Sequence, residues 1–163
     1  MEIRTAVTED ANQVLEIYTP VVQNTAISFE LNVPSIHEIS KRIDTYTKSH
    51  EWIVAEISGT VLGYAYATPH RSREAYKHSV ETSVYIRDES REKGIGKKLY
   101  RELFSKLKDK GFHCAFAGIA LPNAASEALH QSVGFKPIGI FEEIGFKHNT
   151  WHNVSWWQRR IEQ

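Results

Sequence analysis

The 163-residue chain is short of cysteine, of any charge surplus and of long apolar runs, and each shortage excludes something. Its one cysteine, Cys114, cannot close an intrachain disulfide. Set in the apolar run Cys114-Ala-Phe-Ala, it reads as a buried core thiol of a reducing compartment, not a nucleophile. Against 20 Asp and Glu stand 20 Lys and Arg, so nothing electrostatic favours nucleic acid or an anionic membrane. No stretch has the length of a membrane span, and the opening Met1-Glu-Ile-Arg-Thr-Ala lacks the apolar core of a signal peptide. A cytoplasmic protein is expected. Linkers, repeats and low-complexity segments are missing too. With 41% hydrophobic residues, 1–163 reads as one domain with a sizeable core.

What is present alternates between two periods. Glu2–Ala6 is β-like; Thr8 is placed to cap a helix carrying Val14, Ile17, Tyr18 and Val21 on one face. Ser35-Ile-His-Glu38 is a capping-box pattern opening a second helix through Ile36, Ile39, Ile43 and Tyr46. Trp52–Ile57 and Val61–Ala67 read as strands joined by Ser58-Gly59-Thr60. Ser79–Ile86 is a third strand of this group, with Val80, Thr82, Val84 and Ile86 on one face and Glu81, Ser83 and Tyr85 on the other. Ile95, Leu99, Leu103 and Leu107 stripe a helix that ends before Gly111. Cys114–Ile119 is a strand, and Asn123 caps a helix running through Val133 to Gly134. Pro137–Ile144 and Trp151–Arg160 are the last β runs. The order β-α-α-β-β-β-α-β-α-β-β predicts an α/β (α+β) fold, a mixed sheet with helices on its faces.

The most informative segment joins the third of those strands to the helix of Leu99. Arg91-Glu-Lys-Gly94-Ile-Gly96 places two glycines where backbone N–H groups can approach an anion, at the positive end of a helix. Arg91, Lys97 and Lys98 strengthen the same preference. It is not a P-loop, and the third glycine of a dinucleotide fingerprint is replaced by Leu99. Taken alone, the loop is equally compatible with glycines that serve only a turn.

The pattern R-x-x-G-x-G resembles the pyrophosphate loop of the GNAT N-acetyltransferase superfamily. Asn123-Ala-Ala-Ser126-Glu-Ala-Leu129-His130, ahead of Gly134-Phe135, resembles that superfamily's second cofactor motif. Gly63–Tyr76, Val80–Ile86 and Gly145–Arg159 further resemble phosphinothricin and methionine sulfoximine N-acetyltransferases, a likeness running from about Ile3 to the last strand. The resemblance implies a GNAT acyl-CoA N-acyltransferase fold with a mostly antiparallel sheet, and acetyl-CoA as co-substrate. It implies acetyl transfer to the α-amine of a small amino-acid analogue, and a homodimer. Acetyl-CoA would be held by Val84, Tyr85, Ile86, Arg91, Glu92, Lys93, Gly94, Ile95, Gly96, Lys97, Asn123 and Ser126. A strand distortion at Val84–Ile86 would point N–H groups at the thioester carbonyl.

An ammonium has no lone pair for attack, so a carboxylate must take its proton; the family motif puts that base at Glu81. His130 stands where many members carry a tyrosine acid. Arg71, Arg73 and Tyr76 are the expected acceptor clamp, joined by Phe29, Lys147 and His148. Other GNAT specificities, for a peptide N-terminus or another small amine, stay open; a silent acyl-CoA-binding module is disfavoured by the presence of Glu81. His148 and His152 with Glu142 and Glu143 suggest a metal site, but Asn149-Thr150 reads as a hairpin turn that separates them, and no metal is expected. Trp151, Trp156 and Trp157 are read as packing residues, since no basic patch accompanies them.

Overall fold

A computed structural model describes residues 1–162. Seven strands form one sheet in the order β1-β2-β3-β4-β5-β7-β6. They are β1 (Glu2–Thr5), β2 (Glu51–Ile57), β3 (Thr60–Pro69), β4 (Ser79–Ile86), β5 (Cys114–Ala120), β6 (Lys136–Lys147) and β7 (Thr150–Arg160). The helices are α1 (Ala11–Asn24), α2 (Ile36–Ser49), α3 (Ile95–Asp109) and α4 (Ala124–Ser132), in the element order the sequence predicts. Every neighbouring pair is antiparallel except β4–β5.

Each face of the sheet carries its own apolar layer. On one, Leu99, Leu103 and Leu107 of α3 are fully buried against Ile53, Ala65, Val80 and Ala115. On the other, Val14, Ile17 and Tyr18 of α1 and Ile39 and Ile43 of α2 cover Trp52, Val54 and Tyr64. Period-2 alternation in β4 divides its side chains between the layers: Val80, Val84 and Ile86 face α3, Tyr85 faces α1.

Three local expectations change. Thr8 caps nothing; it sits in a 3-10 turn over Thr8–Asp10, and the Asp10 carboxylate accepts from Val7 N at 2.9 Å and from Arg4 at 2.8 and 2.9 Å. Cys114 is half-buried, with Gln158 Nε2 3.6 Å from its sulfur, because it begins β5 instead of occupying its centre. β6 extends to Lys147, and the hairpin turns at His148 and Asn149, both with positive φ. The caps at Ser35 and Asn123 form as expected, accepting from Glu38 N at 3.0 Å and Ser126 N at 3.1 Å.

The feature that positions the site lies between β4 and β5. They pair only over Ser79↔Cys114, Val80↔Ala115 and Glu81↔Phe116, then part. The distortion expected in β4 is not there: β3 and β4 pair without a register break from Pro69↔Val80 to Gly63↔Ile86. Alternate N–H groups of an antiparallel strand address opposite neighbours. Arg87 N donates to Leu62 O at 2.8 Å, so the N–H groups of Val84 and Ile86 point away from β3, toward the gap β5 has left.

Candidate active site

Two cavities flank β4 beyond the point of splay. One, about 630 Å³, lies between the end of β4, the Arg91–Gly96 loop and α4. Of the twelve residues expected to hold acetyl-CoA, eleven line it; Lys93 does not, its Nζ turning back to Glu89 O at 3.0 Å. Gly94 enters α3 at φ +73°, a left-handed conformation that a Cβ would strain. The first N–H groups of α3 have no carbonyl partner within the helix, and Ile95, Gly96 and Lys97 of that turn line this cavity. A Cβ on Gly96 would come within 3.0 Å of Leu129, so glycine keeps α3 and α4 close along the cavity floor. An amide-lined, basic cradle opening into an apolar trough suits a pyrophosphate with a pantetheine arm.

The second cavity, about 660 Å³, lies on the α1–α2 side of the sheet, and Glu81, Ser83, Tyr85, Tyr66 and Thr68 form part of its lining. The segment between α1 and α2 crosses it through Ile27, Ser28, Phe29 and Glu30, while Phe141, Ile144, Val154 and Trp156 line it from the β6–β7 hairpin. Among the described residues only Ile27 and Tyr85 line both cavities, which makes them the throat between the two.

Glu81 presents a half-buried carboxylate to the second cavity. Burial pushes its pKa above the ordinary value of 4.5, with the Arg71 charge pulling the other way. That places it nearer the range useful to a base. His130 does not fit the acid role expected of it. It is buried and absent from both linings, with Nδ1 2.7 Å from Ser126 O and Nε2 2.8 Å from Tyr100 O–H. Both nitrogens are engaged: Nδ1–H donates to the carbonyl and Nε2 accepts from the tyrosine, and burial pushes the pKa below its ordinary value against the Ser126 hydrogen bond.

The acceptor residues separate. Phe29 lines the cavity. Arg71, Arg73 and Tyr76 do not; they stand exposed around a 3-10 turn over Glu74–Tyr76, with Arg71 6.0 Å from the Tyr76 ring centroid. Lys147 is buried away from the cavity, and its Nζ donates to Ser28 O at 2.7 Å. It braces the crossing segment. His148 is exposed at the hairpin turn. Among the described residues no three His, Cys, Asp or Glu converge as a metal site, and His152 Nε2 lies 2.9 Å from Lys147 O.

Sequence reasoning missed Arg42, Glu30 and Tyr18. Arg42 grips Glu30 through two nitrogens at 2.6 and 3.1 Å, and Tyr18 O–H donates to the same carboxylate at 2.5 Å. Glu38 and Arg42, four apart on one helix face, were the sole local hint.

A splayed sheet with an anion cradle on one side, a carboxylate on the other and a throat between them belongs to enzymes that pass an acyl group from coenzyme A to an amine. Residues 3–156 match the family model described as "Acetyltransferase (GNAT) domain", and the chain belongs to that family. It is 33% identical to a phosphinothricin N-acetyltransferase of Streptomyces viridochromogenes over 99% of this chain and 88% of that one. With an L-methionine sulfoximine/L-methionine sulfone acetyltransferase of Pseudomonas aeruginosa it shares 32% identity over 98% and 94% of the two chains. The crystal structure of a Sinorhizobium meliloti phosphinothricin acetyltransferase in complex with acetyl-CoA superposes with a TM-score of 0.93, at 38% identity over 98% of this chain and 87% of the other. The protein is therefore an acetyl-CoA-dependent N-acetyltransferase.

Proposed function

We propose that residues 1–163 form one cytoplasmic catalytic domain that acetylates the α-amine of a small amino-acid analogue, of the phosphinothricin, methionine sulfoximine or methionine sulfone type. The observation that carries this reading is the shape of the acceptor cavity: Ile27–Glu30 and the β6–β7 hairpin wall it, which suits a small acceptor better than a peptide. Glu30 and Glu81 against Arg42 leave one net negative charge on the lining, which favours an amine arriving as ammonium. The activities for which the relatives are named support the same class.

Bound acetyl-CoA supplies an activated acetyl thioester. Glu81 takes the proton from the acceptor's ammonium and frees the nitrogen lone pair. The N–H groups of Val84 and Ile86 stabilise the negative charge that develops on the carbonyl oxygen. The departing thiolate, with a pKa of ~8.5 for an ordinary thiol, leaves without a positioned acid and takes up the second proton, which the nitrogen sheds as the amide forms. Arg71, whose charge reaches Glu81, is the rim cation for the acceptor's acidic end. The chain acts as a homodimer through the edge strand β6, where Ile138, Ile140, Phe141, Ile144, Phe146 and nearby Trp151 are all more than half exposed.

A thiol-release assay with acetyl-CoA tests the proposal against phosphinothricin, methionine sulfoximine, methionine sulfone and a set of short peptides. Turnover of one or more of the first three is expected. Turnover of peptides alone would overturn the small-acceptor reading.

A further inference from the structure

His70 follows the last residue of β3 and lies directly behind Glu81. The β3–β4 register explains why: Thr68 pairs with Glu81 and Pro69 with Val80, and His70 N approaches Ser79 O at 3.4 Å. His70 is thus the diagonal neighbour of Glu81 on the same sheet face. Its ring stacks on Phe116 of β5, centroids 4.7 Å apart and planes at 20°, and meets Tyr76 edge-on at 5.9 Å. Nδ1 is buried, has no hydrogen-bond partner among the described residues, and stands 4.0 Å from Glu81 Oε2.

That separation is too long for a hydrogen bond, and a buried donor without a partner is unfavourable. Catalytic contacts are often loose in the free enzyme and tighten with substrate in place. We propose that His70 is a positioning residue for Glu81: its Nδ1–H closes onto Oε2 when the acceptor occupies the cavity and turns the other carboxylate oxygen toward the amine. The proposal rests on Glu81 being the base. No proton passes through the imidazole. An N–H bond of the ammonium breaks, an O–H bond forms on Glu81, and the nitrogen keeps the electron pair.

The surroundings favour a neutral donor over a second cation. Burial first, and the Arg71 charge second, push the His70 pKa below its ordinary value. Glu81 faces it from β4, Tyr76 from the 3-10 turn and Arg71 from the adjoining residue, while β5 presents the uncharged Phe116. A neutral N–H donor stabilises the ionised carboxylate and so lowers the pKa of Glu81 relative to a ring without nitrogen.

Two variants separate this role from packing. His70→Phe keeps a ring on Phe116 and removes the donor; His70→Asn gives up the ring but carries an N–H near the place of Nδ1. Thiol release is followed against pH, with methionine sulfoximine or whichever amine of the panel turns over fastest, alongside acetyl-CoA affinity and thermal midpoint. His70→Phe should move the acid limb of kcat, which reports the substrate-bound enzyme, to higher pH and lower kcat roughly tenfold, the scale of one hydrogen bond to a charged group, with acetyl-CoA affinity unchanged. His70→Asn should restore the limb. Carbon NMR titration of the Glu81 carboxyl with the acceptor bound and acetyl-CoA left out reads the same shift without turnover: upward in His70→Phe, close to the parent in His70→Asn. A parental limb and carboxyl titration in His70→Phe would overturn the proposal. So would equal losses in both variants with the limb unmoved, which would mean that only the stack matters. Glu81→Gln run in parallel distinguishes the two readings: if it is inactive while His70→Phe behaves as parent, only the His70 role fails; if it stays active, the base assignment fails and takes this role with it.

Discussion

At the scale of single residues, Glu81 is expected to trade stability for chemistry. Its pKa is raised in the folded state, mainly by burial. Between the ordinary value and the raised one the native protein binds more protons than the unfolded chain, so stability falls as pH rises through that interval. Above it the ionised carboxylate is a standing cost. Glu81→Gln should therefore raise the thermal midpoint at neutral pH, with no gain in acid. The same change should lower turnover by about 10²–10⁴-fold while acetyl-CoA affinity holds. Calorimetry and thiol release read the two effects, and parental turnover would remove Glu81 as the base. Asp10 has the opposite sign. Burial alone would push its carboxyl up, but hydrogen bonds from Arg4 and Val7 N and the Arg4 charge outweigh this and hold it below 3.8. Its contribution is present at neutral pH and disappears as pH falls through the depressed value. Asp10→Ala should cost about 1–2 kcal/mol in urea unfolding at pH 7, because it removes the acceptor of Val7 N and one of the two carboxylates on Arg4, whose bonds to Glu56 remain. That Glu81 would reach the cavity was legible because it lies in a contiguous motif. His130 was misread because sequence does not tell a ring nitrogen facing a cavity from one bonded to Ser126 O.

At the scale of elements, the segment between α1 and α2 shows why the donor side could be read and the acceptor side only in part. The Arg91–Gly96 loop and the Asn123 cap are local: their geometry follows from residues adjacent in sequence. The acceptor wall is assembled from α1, α2, β4 and the distant β6–β7 hairpin, and no short pattern encodes such a meeting. Gly145 illustrates it. A Cβ there would fall 2.3 Å from the Phe29 ring, so glycine on β6 is what lets Phe29 lie against the hairpin. Gly145→Ala should displace that ring and raise the acceptor KM several-fold, with the acetyl-CoA KM held, in steady-state kinetics. Lys147→Met, which removes the donor to Ser28 O over a span of 119 residues, should act on the same parameter in the same direction. A rise confined to the acetyl-CoA KM would contradict both. The hairpin itself was predicted too short, because the bulge between Phe141 and Gly145 interrupts the alternation that marks a strand.

At the scale of the whole molecule, the two cavities touch, among the described residues, only at Ile27 and Tyr85, and both substrates must be present for the acetyl group to cross. Initial-velocity patterns should therefore intersect; parallel lines, the mark of a covalent acetyl-enzyme, would refute direct transfer. Ile140→Glu, at the middle of the exposed β6 face, should halve the sedimenting mass of a dimer, and an unaltered mass would place the subunit contact elsewhere. The early parting of β4 from β5 carries a further consequence, for observation instead of catalysis. Amide protons that a continued ladder would have shielded, those of Val84 and Ile86, are left open to exchange with solvent deuterium. The neighbouring amides addressed to β3 stay shielded by Leu62 and its strand. Two backbone positions thus record whether the groove is filled, and their protection factors, rising with added acetyl-CoA, measure its occupancy without any acceptor or chemical turnover.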